Sequence, residues 1–261
     1  DTSETKIQLV QDLYRFVEEE KLSSDNYILH LSGYPLVQER FETVSAEDTG
    51  VLIPIMIVVM LVILFASFRS VVATIAPWLV IACGILSVLE IQSYLGIPHT
   101  TIDSGALSPT LIIIGVGITI HVLLEFFHFM GAGNSGIESA RSTIINIWRP
   151  AFFTAITTSA GFYALSITKI MPIKEFALLG AIGPIILFLF ALSVLPAVLS
   201  YMKSIPSNTV NLLDVGFISS ITKKVPDFTL KNRNKILVFG LAVMAFSIWN
   251  IPNIKIDTNY V

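Results

Sequence analysis

Apolar and polar positions divide this chain into a polar head and six long hydrophobic runs. The runs lie near 51–68, 71–95, 108–129, 151–168, 176–202 and 235–252. Each approaches the roughly 20 apolar residues that an α-helix needs to cross a hydrocarbon core, so six transmembrane helices are predicted. Ahead of them, Thr5–Lys21 sets Ile7, Leu9, Val10, Leu13, Tyr14 and Val17 among charges, which predicts an amphipathic helix. Tyr27–Leu31 alternates like a strand that Gly33-Tyr34-Pro35 would end, and Leu36–Glu47 predicts a second helix leading into the first run. The expected fold is a mainly α membrane protein, a polytopic helix bundle with a small α/β extracytoplasmic segment.

Composition fits lipid as the solvent. Hydrophobic residues make up 54% and charged residues 13% of the 261, against roughly 25% charged in ordinary soluble domains. The single cysteine, Cys83, falls within the second run and has no partner for an intrachain disulfide. There is no Gly-rich phosphate loop, no Gly-x-Ser-x-Gly elbow and no basic nucleic-acid surface. No enzymatic chemistry, cofactor or nucleic-acid partner is therefore expected.

Basic residues set an orientation. With the head outside, the inner connections carry nine: Arg69, Arg141, Arg149, Lys203, Lys223, Lys224, Lys231, Arg233 and Lys235. The outer connections carry three: Lys169, Lys174 and Lys255. The head and the Lys174–Glu175 turn are thus expected on the non-cytoplasmic side. Gly131–Pro150 would be an inner connector with a surface-lying amphipathic helix built on Ile137, Ile144, Ile145 and Trp148, and Ser204–Asn232 a longer inner linker.

Two runs carry polar groups that lipid does not favour. In the fourth, Thr154, Thr157, Thr158, Gly161 and Ala164 share a helical face. A face of Thr, Gly and Ala serves either close helix packing or a polar transport path. In the third, Ile114, Ile118, His121, Glu125 and His128 form one stripe, flanked by Gly115 and Gly117. Counted from Pro109, His121 lies roughly 18 Å into a core about 30 Å thick. Ionisable groups at such depth are costly and mark ion or proton paths, and histidine changes charge near neutral pH. The alternative for His121 is a neutral, hydrogen-bonded packing role. Glu125 and His128 lie nearer the headgroups and can snorkel to them, while Glu125 is also the partner one turn from His121 for a proton relay. His121 and Glu125 at i, i+4 offer two ligands with no further His/Cys cluster nearby in sequence, so no metal site is expected. Asp103, beside His99, Thr100 and Thr101 in the outer loop, is read first as a helix cap, with a guard on an entry route as the alternative.

Several short segments taken together resemble the resistance–nodulation–division superfamily of transporters, in particular its hydrophobe/amphiphile exporter and MMPL-type branches. They are Phe68-Arg69-Ser70, Gly115-Val-Gly-Ile-Thr-Ile-His121, Arg149–Phe162, Pro172–Phe176 and Leu195-Pro196. The resemblance implies two repeats of six helices, each with an extracytoplasmic domain after its first helix. This chain would then be a half or a fragment: 1–48 the end of one extracytoplasmic domain, 49–202 a five-helix transmembrane bundle, 203–234 a cytoplasmic linker, 235–252 a sixth helix, and 253–261 the start of a second domain. The implied function is proton-coupled export of lipids or other hydrophobic or amphiphilic molecules, at a bacterial inner membrane. The implied partners are that substrate, protons and the second half of the transporter, with homo-oligomers left open. The superfamily's fourth helix usually carries a buried aspartate. Aligned on the histidine, Ile118 stands in its place; aligned on the glycines, Thr119 does. Coupling would then fall to His121, to Glu125 or to the other half. The alternative is a non-pumping lipid- or sterol-sensing module, since 51–202 also resembles a sterol-sensing domain.

Overall fold

The computed structural model describes residues 10, 12–17, 19, 33–98, 103–203, 225, 226 and 228–251. The predicted strand Tyr27–Leu31 and most of the predicted 204–232 linker lie outside the described residues, as do 253–261. Residues 12–17, inside the first predicted amphipathic helix, are helical. The chain divides into two units, Asp1–Pro206 and Ser207–Val261.

In the first unit the helices are α1 (Tyr34–Phe68), α2 (Val71–Tyr94), α3 (Ser108–Gly131), α4 (Gly136–Ala164) and α5 (Met171–Leu199), with a π-helical turn at Asp103–Leu107 leading into α3. The second unit holds α6 (Arg233–Asn250). Among the described residues no strand is present. The fold is the polytopic helical bundle that the hydrophobic runs predict.

Among the described residues, four helices are long and apolar enough to cross a membrane: Thr43–Phe68, Val71–Tyr94, Gly105–Gly131 and Met171–Leu199. The other two predicted runs are helical in α4 and α6 but fall short of that hydropathy. Threonines and Arg149 dilute the apolar half of α4, and α6 opens on Arg233-Asn234-Lys235. Two joins also differ from the sequence reading. The helix expected at Leu36–Glu47 and the first run form one 35-residue helix, α1. The expected surface helix on Ile137–Trp148 is continuous with the fourth run, making one 29-residue helix, α4. Arg149-Pro150 looked like a boundary, yet a proline is tolerated inside a membrane helix when neighbours satisfy the backbone it frees.

The turns explain the order. Arg69 takes a left-handed conformation (φ 46°) and its N–H bonds Phe65 C=O at 2.7 Å, closing α1. The hydroxyl of Ser70 then accepts the Ala73 N–H at 3.4 Å and caps α2. Phe68, the last residue of α1, stacks on Phe127 of α3, with ring centroids 5.4 Å apart. Gly133 (φ 94°) turns the chain after α3. Ser135 and Glu138 then open α4 with a reciprocal capping box. The Glu138 carboxyl is held below the usual carboxylate range, first by the Ser135 backbone N–H and then by its hydroxyl.

The core lies between α2, α3 and α5, around Val80, Val88, Leu111, Val122, Leu123, Phe126, Leu179, Leu187 and Leu195, all buried. α4 lies against α3 and α5. α1 stays at the edge, with 11% of its most apolar stretch buried, so most of that helix is left for lipid or another partner.

Candidate functional site

α3 and α4 follow each other through the short turn at Ala132–Ser135 and run antiparallel. Between them lies a cavity of about 590 Å³. α3 lines it with Ile114, Gly117, Ile118, His121, Leu124 and Glu125. α4 lines it with Ile147, Pro150, Ala151, Thr154 and Thr158. The spacing on each helix is that of one face, so the stripe around His121 and the threonine face of α4 are the two walls of one space.

Polar groups are distributed along its length. Glu125, half-buried near the α3–α4 turn, accepts a hydrogen bond from Asn146 Nδ2 at 3.0 Å. His121, one turn further along α3, is exposed to the cavity. Thr154 donates to Pro150 C=O at 2.9 Å, a back-bond that satisfies its hydroxyl within the helix. Thr158 lines the opposite end, across from Ile114.

Five of the candidate residues thus meet here: His121, Glu125, Gly117, Thr154 and Thr158. The other four do not line it. Thr119 is fully buried and donates to Gly115 C=O at 2.8 Å and Val116 C=O at 3.0 Å. Gly115 faces α2 and α5, where a Cβ would lie 2.7 Å from Ile81 Cγ1. Thr157 is exposed and donates to Phe153 C=O at 2.8 Å and Thr154 C=O at 3.1 Å. Gly161 is exposed, with open space where a Cβ would be. Of the two alignments for the absent acid, Ile118 faces the cavity and Thr119 does not. His128, on the same stripe, stands beyond the lining and packs edge-on to Phe129 at 5.6 Å.

Asn146 was missed in the sequence, although the signal was there. Asn146, Pro150, Thr154 and Thr158 are spaced by four residues and make one row along α4. Taking Arg149-Pro150 as the end of a separate helix cut that row in two.

A second groove, of about 460 Å³, runs along α1. Its walls are Leu52, Ile53, Ile55, Met56, Val59, Met60 and Ile63, with Thr49, Gly105 and Pro109. It is apolar throughout, apart from Thr49.

The model of the MMPL family matches residues 1–209, about four-fifths of the chain. No curated protein and no solved structure matches.

Proposed function

The chain belongs to the MMPL family of membrane transporters, and on that premise we propose that it forms part of a proton-coupled exporter of lipids or other hydrophobic or amphiphilic molecules. The observation that carries this reading is the α3–α4 cavity, which brings His121 and Glu125, on a helix long and apolar enough to cross a membrane, together with Thr154 and Thr158. A charged group within a bilayer costs several kcal/mol unless water, a counter-charge or hydrogen bonds answer it, and such groups mark paths for ions or protons. In this reading His121 binds the moving proton and Glu125 receives it. Protonation biases two helix arrangements, which is what coupling requires.

In the same reading α4 and α6 span the membrane with the other four helices, 49–202 forming the five-helix bundle and 235–252 the sixth helix. The head lies outside, by the nine-to-three bias of basic residues. The exposed His121, Thr157 and Gly161 suit cover by the second half of the transporter rather than by lipid. The apolar groove along α1 suits an acyl chain.

One observation favours the non-pumping, lipid-sensing module: Ile118 presents a hydrocarbon side chain to the cavity where the superfamily's acid is expected. The two readings separate in inverted membrane vesicles containing the full-length protein and a fluorescent phospholipid. A pump moves the lipid when a proton gradient is imposed and stops when a protonophore collapses it. A sensor moves none in either condition.

A further inference from the structure

α4 and α5 run antiparallel along their whole lengths. A Cβ on Gly136, at the start of α4, would lie 2.5 Å from the Met202 carbonyl oxygen, just past the end of α5. A Cβ on Gly180, early in α5, would lie 2.7 Å from Phe162 Cδ1, late in α4. α5 is long and apolar enough to cross a membrane, so α4 shares its depth. The 29 residues of α5 measure about 43 Å, against a hydrocarbon core of about 30 Å. Arg149 stands about 20 Å along α4 from Gly136 and Arg141 about 7 Å. Even with all the excess length of α5 at this end, the Arg149 backbone lies below the headgroups.

Both arginines are exposed, round the helix from the cavity-lining Pro150 and Thr154. Among the described residues neither has a carboxylate within ion-pair reach, and Glu138, three residues before Arg141, is held by Ser135. The Arg149 guanidinium lies 5.4 Å from the centroid of the Trp148 ring. Ile145, Phe153 and Ile156, all exposed, continue this face. Side chains on a helix lean towards its N-terminus, here the end at the α3–α4 turn, so both guanidinium groups can snorkel to the headgroups. An unanswered charge facing lipid is costly.

We infer that this outer face of α4 is a binding site for an anionic phospholipid of the leaflet on the α3–α4 turn side. Arg149, with its planar fork of donors, meets the phosphate. Arg141, about two turns nearer the water, adds a second positive charge, and Trp148 lies at the interface where its ring is favoured. The acyl chains run deeper, along Phe153 and Ile156. Charge and depth together name the occupant: the face offers positive charge at the headgroup end and hydrocarbon beyond it, which is the order of groups in a phospholipid. The site rests on the reading that α4 crosses the membrane and does not depend on the proton path.

The test is lipid retention by the full-length protein, purified from vesicles of equal phosphatidylglycerol and phosphatidylcholine and read by native mass spectrometry. The parent is expected to retain phosphatidylglycerol over phosphatidylcholine about tenfold, the scale of one hydrogen bond to a charged group. Arg141→Gln with Arg149→Gln is expected to bring the two lipids to parity, with phosphatidylcholine retention unchanged as the sign of a folded bundle. Arg69→Gln, a charge lost at the α1–α2 turn, is expected to keep the preference. An unchanged preference in the double variant, or an equal loss in Arg69→Gln, overturns the site. Displacement of the lipid by inorganic phosphate alone overturns the lipid assignment in favour of a free anion. If the preference depends on the two arginines while an imposed proton gradient moves no lipid, the site stands and the exporter reading falls.

Discussion

Gly115 on α3 lies so close to Ile81 on α2 that a Cβ there would stand 2.7 Å from Ile81 Cγ1 and 3.3 Å from Leu187 Cδ2 of α5. Two residues on, Gly117 faces the cavity and a Cβ would meet nothing within 4 Å. The two glycines therefore do different work: one lets three helices close together, and the other keeps a wall open. Gly115→Ala is expected to destabilise the bundle by about 1–3 kcal/mol, as overpacking does, with Gly117→Ala within about 0.5 kcal/mol of the parent. Thermal unfolding in detergent, followed by size exclusion, checks this. Equal stability of the two variants would contradict the assignment.

Thr158 and Thr157 are neighbours on α4, but Thr158 alone of the two lines the cavity. Thr158→Leu fills part of the space opposite Ile114 and is expected to cut transport severalfold at normal protein levels. Thr157→Leu, outside the cavity lining, is expected to leave it near the parental rate, and equal loss in the two variants would contradict the assignment. Vesicle lipid flux measures both.

The long apolar runs were legible because lipid demands length and composition, and both are written in the residue types. The His121 stripe and the Thr154–Thr158 face were legible for a related reason, since their polar groups are out of place in hydrocarbon. Period alone could not say which members of a stripe look inward. Thr119 directly follows the cavity residues Gly117 and Ile118, yet its hydroxyl is spent on the carbonyls of Gly115 and Val116. Gly115 turned out to serve packing for the same reason of angle. The joins were the least legible part. A proline and an arginine read as a helix boundary at 149–150, whereas packing against α3 and α5 carries α4 straight through.

At the start of α4, Glu138 accepts from the Ser135 N–H at 3.1 Å and from its hydroxyl at 3.0 Å. These bonds lower its folded pKa. Its contribution to stability is therefore full above the unfolded carboxylate value and is lost as pH falls through the lowered, folded value. Glu138→Gln retains much of the capping geometry without the titration. Acidification is expected to lower the Tm of the parent more than that of Glu138→Gln, and parallel pH curves would count against the cap.

The orientation predicts opposite labelling of two turns. In a Cys83→Ala background, Ala132→Cys in the α3–α4 turn is expected to react with an impermeant thiol reagent from the cytoplasm. Ile167→Cys, 86% exposed between α4 and α5, is expected to react from the other side. Labelling of both from one side would mean that α4 does not cross the membrane.

The central claim is that His121 carries a proton, not just a hydrogen bond, in the cavity between α3 and α4. The most direct measurement is lipid efflux driven by an imposed proton gradient in vesicles containing the full-length protein with His121→Gln, matched for protein level. Glutamine keeps hydrogen-bonding capacity but cannot titrate near neutral pH. The account predicts that gradient-driven efflux is abolished in His121→Gln. Efflux at the parental rate, still stopped by a protonophore, would contradict it.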